Sequence, residues 1–280
     1  MKKILAVSGG IDSVVMLHLF KDDADVVVAH YDHGIRPNSA EDCVFVEQLA
    51  KTYGKQFYTE HAQLGPNCSE ESARAARYLF LRRLTKELGG KIYTAHHSDD
   101  VIESVAINLL RGTGWRGLAA LNNTEIERPL ISWTKRDIYR YATEHQLHFR
   151  LDQTNSDDKY LRNRVREALL FEDSSKKQAI VELATKQREI ARQIDAELAI
   201  ISDEKYPRAL MNIDSNIAQE ILRAILARQG ITQTRPQLKR IIKAIRNYAT
   251  GKQFPLNKNY TIIMGRYHFW IAPAKIVSKR

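Results

Sequence analysis

The chain opens on a short apolar run, Ile4 to Val7. A stretch over 12–20 follows, with Val14, Val15, Leu17 and Leu19 spaced as on a helix. Val26-Val27-Val28-Ala29 predicts a second buried strand. Val44, Val46, Leu49 and Ala50 mark a helix over 40–53, and Gln56 to Glu60 a weaker third strand. Residues 69–88 predict a long helix with Ala73, Ala76, Leu79, Phe80 and Leu84 on one stripe. Lys91 to Ala95 predicts a fourth strand and 99–110 the helix after it. Short apolar strands alternating with helices at this spacing predict an α/β fold, a doubly wound parallel sheet buried on both faces.

Beyond residue 130 the strand pattern fades. Helical spacing recurs over Thr134–His145, over Lys159–Leu170 and over a long polar stretch, 174–202, carrying Leu183, Ile190, Ile194, Leu198 and Ile201. Tyr206-Pro207 ends that stretch. Two amphipathic helices follow. One is lined by Ile217, Ile221, Leu222 and Ile225; the other opens on the capping box Thr234-Arg235-Pro236-Gln237 and carries Leu238, Ile241, Ile242 and Ile245. The last elements, Tyr260–Met264 and Tyr267–Ile271, bracket Gly265-Arg266 as a two-residue turn. The expected organisation is a catalytic domain over 1–185, a connecting helix over 186–205, and a smaller, mainly helical basic domain over 206–280 ending in a β-hairpin.

Charge sharpens this division. The net charge is +10, yet residues 221–280 hold 13 Lys and Arg and no Asp or Glu, so the first 220 residues are slightly acidic. Such asymmetry points to a polyanion, most often nucleic acid, at the C-terminal end. On the helix over 235–247, Lys239, Lys243 and Arg246 share a face away from the apolar stripe and are candidates for that contact. No apolar run approaches the ~20 residues of a membrane span, and the four apolar residues after Met1-Lys2-Lys3 are too few for a signal peptide. With only Cys43 and Cys68 there is no disulfide framework, which suits a cytoplasmic protein. Nothing in the composition sets the oligomeric state; a homodimer is allowed.

The sharpest local signal is Ser8-Gly9-Gly10-Ile11-Asp12-Ser13, directly after the first strand and opening a helix. Glycines let backbone approach phosphate oxygens closely, and a helix N-terminus supplies unpaired N–H groups. Ser8 and Ser13 add hydroxyls. Asp12 would repel phosphate unless a cation lay between, so it is read as a Mg²⁺ ligand. The loop is neither a Walker A motif nor a dinucleotide fingerprint.

This hexapeptide resembles the Ser-Gly-Gly-x-Asp-Ser loop of the N-type ATP pyrophosphatases, the PP-loop enzymes. Further segments resemble one branch, the tRNA(Ile)-lysidine synthetases in their short form: His30-Tyr31-Asp32-His33-Gly34-Ile35-Arg36, Ala73-Arg74-Ala75-Ala76-Arg77-Tyr78, Thr94 to Glu103, Arg111-Gly112-Thr113-Gly114, Asp152-Gln153-Thr154-Asn155 and Arg162-Asn163-Arg164-Val165-Arg166. The resemblance covers roughly 3–170 strongly and 210–272 weakly. It implies an adenine nucleotide alpha-hydrolase-like fold. It also implies a reaction: ATP adenylates the C2 oxygen of the wobble cytidine in a CAU-anticodon tRNA(Ile), and L-lysine displaces AMP to give lysidine.

Within that frame Ser8, Gly9, Gly10, Ile11, Asp12, Ser13 and His30 are the expected ATP contacts. Asp12, His96 and Arg111 are the expected catalytic residues. His96, Asp100 and Glu103 lie at i, i+4 and i+7 on one helical face. Two carboxylates on one pocket suit an ammonium or a metal ion, and the resemblance implies that Asp100 and Glu103 anchor lysine. Arg77, Arg162 and Arg166 suit phosphate contacts, on tRNA in this reading. The base that deprotonates lysine is left open between Asp12, His96 and their neighbours. A thiolation enzyme on the same loop is the alternative, although neither cysteine has a partner motif. A non-enzymatic basic RNA-binding protein is the other.

Overall fold

In the computed structural model, residues 1–34, 39–62, 68–150, 161–169, 173–199 and 205–274 are described. Ile35-Arg36 and Asp152-Gln153-Thr154-Asn155 lie outside them. Five parallel strands, β1 (Lys2–Ala6), β2 (Val26–Asp32), β3 (Gln56–His61), β4 (Gly90–Tyr93) and β5 (Ile126–Glu127), form one sheet in the order β3-β2-β1-β4-β5. The fifth strand was not expected; its two residues are too short to show a pattern.

The alternation along β1 separates two cores. Leu5 and Val7 pack with Val15, Met16, Val26, Val28, Leu130 and Ile138. Ile4 packs with Ala29, Phe80, Leu81, Leu84, Ile92 and Ile126. Helices α1 (Ile11–Leu19), α2 (Ser39–Thr52) and α6 (Lys135–Glu144) cover the first face, and α3 (Glu70–Leu88) the second. Covering both faces explains why the central strand β1 and its neighbour β2 carry continuous apolar runs. Helix α3 starts where the Ser69 hydroxyl accepts the Ser72 N–H and stops at Gly89, whose φ of +65° suits a residue without Cβ. Its buried stripe runs through Ala73, Phe80, Leu81 and Leu84; Leu79, expected on it, is exposed. Val44, Leu183, Ile190 and Ile217 are likewise exposed despite their helical spacing.

After β4 come α4 (Ser98–Leu110) and a short turn of helix, α5 (Trp115–Leu118). Helix α7 (Leu161–Leu169) packs on α4, and α8 (Ser174–Ala199) follows. The chain divides into two compact units, Met1–Arg188 and Glu189–Arg280, with the division inside α8.

The second unit holds α9 (Ser215–Arg228) and α10 (Arg235–Asn247) over a small antiparallel sheet. Leu222, Ile225, Leu238, Ile242, Ile245, Ile262, Met264 and Phe269 form its core. The expected hairpin is part of a four-stranded sheet, β6-β9-β8-β7, made of β6 (Tyr206–Pro207), β7 (Gln253–Pro255), β8 (Tyr260–Met264) and β9 (His268–Pro273). Tyr206-Pro207 thus pairs with β9 as well as following a helix. The turn also differs from expectation. Met264 pairs with Phe269, and Gly265 N–H donates to His268 O, so the central residues are Arg266-Tyr267. A Cβ on Gly265 would lie 2.9 Å from His268 O, which is why glycine stands at the turn's entry. Among the described residues no helix is long and apolar enough to cross a membrane.

Candidate active site

A cavity of about 430 Å³ opens beyond the carboxyl ends of β1, β2 and β4, the edge at which open α/β sheets bind ligands. Ser8, Gly10, Asp12 and Ser13 line it from the first loop, His30 to Gly34 from the second strand's end, and Thr94, Ala95, His96 and Asp100 from the fourth. Arg77 reaches it from α3.

The glycine loop is internally braced. Ser13 Oγ donates to Gly10 O at 2.8 Å and accepts the Ser8 N–H at 3.2 Å. Gly9 has φ +88°, and a Cβ there would press on Phe45 and Val46 at 3.3 and 3.4 Å, so the position admits only glycine without strain. Gly10 caps α1. The Ile11 side chain, included with the expected ATP contacts, is buried in the core; only its backbone is left to serve a ligand.

Asp12 does not stand alone. Lys135 Nζ donates to its Oδ1 at 2.5 Å. Lys135 is placed by the N-terminus of α6, where Thr134 and Asp137 form a capping box and Asp99 Oδ2 accepts the Lys135 N–H at 3.1 Å. Sequence reasoning missed this lysine; it lies 123 residues from Asp12, and no local pattern distinguishes it from any other surface lysine. Arg150 was also missed. It lines the cavity, donates its N–H to Gly9 O at 2.9 Å, and its guanidinium holds Asp42 at 3.1 Å.

The histidines are differentiated by their partners. His30 is buried and donates from Nδ1 to Val7 O at 2.8 Å. Burial lowers its pKa, and the Nδ1–H tautomer leaves Nε2 an acceptor. His96 hydrogen-bonds Thr94 Oγ1 through Nδ1 at 2.8 Å. Burial pulls its pKa down to about 3, against the raising effect of Asp100, so it is neutral at ordinary pH. His97 sits among three carboxylates, 3.9 Å from Asp12, 3.6 Å from Asp99 and 3.6 Å from Asp100. Asp100 accepts the His97 N–H at 3.0 Å. Burial pushes the Asp100 carboxyl up, but His97, His96, that N–H and Arg162 outweigh it and hold it below the usual carboxylate range.

One cluster differs from expectation. Glu103 is 3% exposed and does not line the cavity. Arg162 donates to it at 3.0 Å, and Arg166 at 2.7 and 3.2 Å. The residues expected on lysine and on tRNA are thus found on one another, tying α7 to α4. The hydrogen bond to Glu103 raises the Arg166 pKa. Arg111 also lies apart. It is exposed at the end of α4, before Gly112 at φ +66°, and does not line the cavity. Arg77, expected on tRNA, lines the cavity instead, and its buried Nε has no hydrogen-bond partner among the described residues. In the second unit Lys239 and Lys243 are exposed, while Arg246 donates to Met211 O and to Ile213 O.

The His96–Asp100 pair gives the fold an acid limit. As pH falls below 6.5 the unfolded chain's histidine takes up a proton that His96 in the folded chain refuses until about 3. Stability is therefore lost across that window, at up to about 1.4 kcal/mol per pH unit. Asp100 acts with the same sign, its contribution being lost as pH falls through its lowered value. The urea midpoint is expected to drop between pH 6.5 and 4.5, and less so in His96→Asn. An equal drop in both would remove His96 as the cause.

A family model described as a PP-loop domain matches residues 1–172. Among curated proteins the chain is 35% identical to a tRNA(Ile)-lysidine synthase of Thermotoga sp. (strain RQ2) over 60% of this chain and 44% of that one. It is 39% identical to a tRNA(Ile)-lysidine synthase of Thermus thermophilus over 58% and 34%, and 29% identical to that of Exiguobacterium sibiricum over 82% and 59%. The chain thus spans less than two thirds of the length of each. Among solved structures, the U34-tRNA thiolase NcsA of Methanococcus maripaludis superposes with a TM-score of 0.57 at 19% identity, over 68% of this chain and 73% of that one, a likeness of fold.

Proposed function

The chain belongs to the PP-loop domain family, and from that premise we propose that it joins L-lysine to C2 of the wobble cytidine in a CAU-anticodon tRNA(Ile), at the expense of ATP. One observation carries the reading: the Ser-Gly-Gly-Ile-Asp-Ser loop, neutral His96 and ionised Asp100 border a single cavity. The lysidine synthase relatives support the choice of reaction.

In this reading the backbone N–H groups at the start of α1, with Ser8 and Ser13, hold the ATP phosphates. His30 offers its acceptor Nε2 toward the base of the nucleotide. Asp12 suits Mg²⁺, which is typically held by one or two carboxylates together with substrate phosphates and water. Lys135 donates to the same carboxylate. Bound there, the cation would neutralise phosphate charge. The cytidine C2 oxygen attacks the α-phosphorus and pyrophosphate leaves. The lysine amine, after losing a proton, attacks C2, and AMP departs with the oxygen–carbon bond's electron pair. Asp100 anchors lysine's ammonium or α-amino group by charge. Arg77 places a guanidinium where a phosphate or adenylate would lie. Lys239 and Lys243 supply part of the tRNA's electrostatic footing.

The test incubates the protein with ATP, Mg²⁺, labelled lysine and a CAU-anticodon transcript. Lysine incorporation with pyrophosphate release is expected, and its absence from folded, ATP-binding protein would overturn the reading. Full activity of a Cys43→Ser, Cys68→Ser double variant is expected as well, because both thiols are free and neither lines the cavity.

A further inference from the structure

The second unit carries an aromatic and basic edge to which the reading above assigns nothing. Its organiser is Arg208. The Arg208 N–H donates to Tyr267 O at 2.8 Å, and its guanidinium donates to Ile245 O at 2.7 Å, Tyr248 O at 2.8 Å, Gly265 O at 3.1 Å and Arg246 O at 3.2 Å. One side chain thus clamps the end of α10 to the β8–β9 turn and fixes both backbones.

Each clamped stretch presents a tyrosine. Tyr267, at the tip of the turn, is 66% exposed, and Tyr248 is 40% exposed. The Arg266 guanidinium lies 5.2 Å from the centre of the Tyr267 ring. Lys252 adjoins the same turn, its carbonyl accepting the Met264 N–H. No Asp or Glu occurs anywhere from 221 to 280. A braced backbone, two exposed tyrosines and cations that form no ion pair among the described residues are what unpaired nucleotides need: a ring for the base and positive charge for its phosphate.

We propose that this edge is a stacking platform for single-stranded loop nucleotides of an RNA, with Tyr267 and Tyr248 taking bases and Arg266 and Lys252 taking phosphates. Charge complementarity favours RNA over a protein partner, and the hairpin register explains the tyrosine. A turn centred one residue earlier would return Tyr267 to the strand; the observed register puts it at the tip. The inference rests on the tRNA reading for the identity of its RNA.

The test uses the full chain and a CAU-anticodon transcript, with Kd measured across a salt series. Tyr267→Ala is expected to weaken binding about 10-fold with an unchanged salt slope, as loss of one stacked base does. Tyr267→Phe should stay within about twofold, because the ring is kept. Arg266→Ala should lower the salt slope by about one. ATP binding should be unchanged in all three. Wild-type affinity in Tyr267→Ala, or equal losses in the Ala and Phe variants, would overturn the platform. So would wild-type protein that binds anionic phosphatidylserine vesicles but not the transcript. If binding weakens as expected while wild-type protein incorporates no lysine, the platform stands and the proposed reaction falls.

Discussion

Asp100→Asn is expected to cut lysine transfer at least about 30-fold, the effect of losing about 2 kcal/mol from one side of a buried charge pair. ATP binding should stay within a few-fold of wild type. The substitution is nearly isosteric, and Asn retains an oxygen to accept the His97 N–H that Asp100 now holds at 3.0 Å. The start of α4 should therefore survive, and the change removes charge alone. That charge is present at neutral pH because the groups around it, His97 foremost, outweigh burial and hold the carboxyl below the usual carboxylate range. The defect should appear as a raised KM for lysine, read by incorporation at rising lysine concentration, with pyrophosphate release measured in parallel. An equal loss of nucleotide binding would instead place Asp100 on the metal and phosphates.

Glu103→Ala is expected to act on folding first. It leaves Arg162 and Arg166 without the carboxylate that both now share. Breaking a fully buried pair costs about 3–5 kcal/mol. Arg166 is 39% exposed, so solvent relieves part of this, and a loss of about 2–3 kcal/mol is expected. Urea denaturation of the full chain checks it. Glu103→Gln, which still accepts hydrogen bonds, should recover part of the stability. Wild-type stability in Glu103→Ala combined with loss of lysine transfer would make Glu103 a ligand for lysine. The two carboxylates, three residues apart on one helix, are thereby separable by what each variant damages.

The contrast shows how far the sequence could be read. Spacing put His96, Asp100 and Glu103 on one helical face, but α4 starts only at Ser98, so His96 lies on the loop before it, and an acid at i+7 looks the same whether it meets a ligand or an arginine from another helix. Only the arrival of α7 decides it. The glycine loop was legible because its chemistry is local: six consecutive residues carry the φ +88° turn, the hydroxyl braces and the helix cap. Strand β2 and the centre of β1 were legible because burial on both faces leaves a run of apolar residues, whereas β3, with no buried position, gave only a weak signal. Strand β5 was not, since Ile126–Glu127 is two residues held by pairing with Ile92 and Tyr93. Lys135 was invisible because its meaning is long-range. The hairpin was visible but its register was not. Gly265-Arg266 and Arg266-Tyr267 are both reasonable turns locally, and the choice is made by Met264 meeting Phe269 in the core.

The position of β1 between β2 and β4 has a consequence for synthesis. A growing chain displays the glycine loop before the rest of the sheet is made. The cavity's opposite wall, Thr94 to Asp100, is some eighty residues from being made, and Lys135 later still. Until β4 docks beside β1, the loop has no pocket, and Asp12 has no counter-charge. Nucleotide therefore meets a competent site only after the strand that closes the long-range contact has been laid down. Its binding then favours the completed sheet over earlier, partly paired forms.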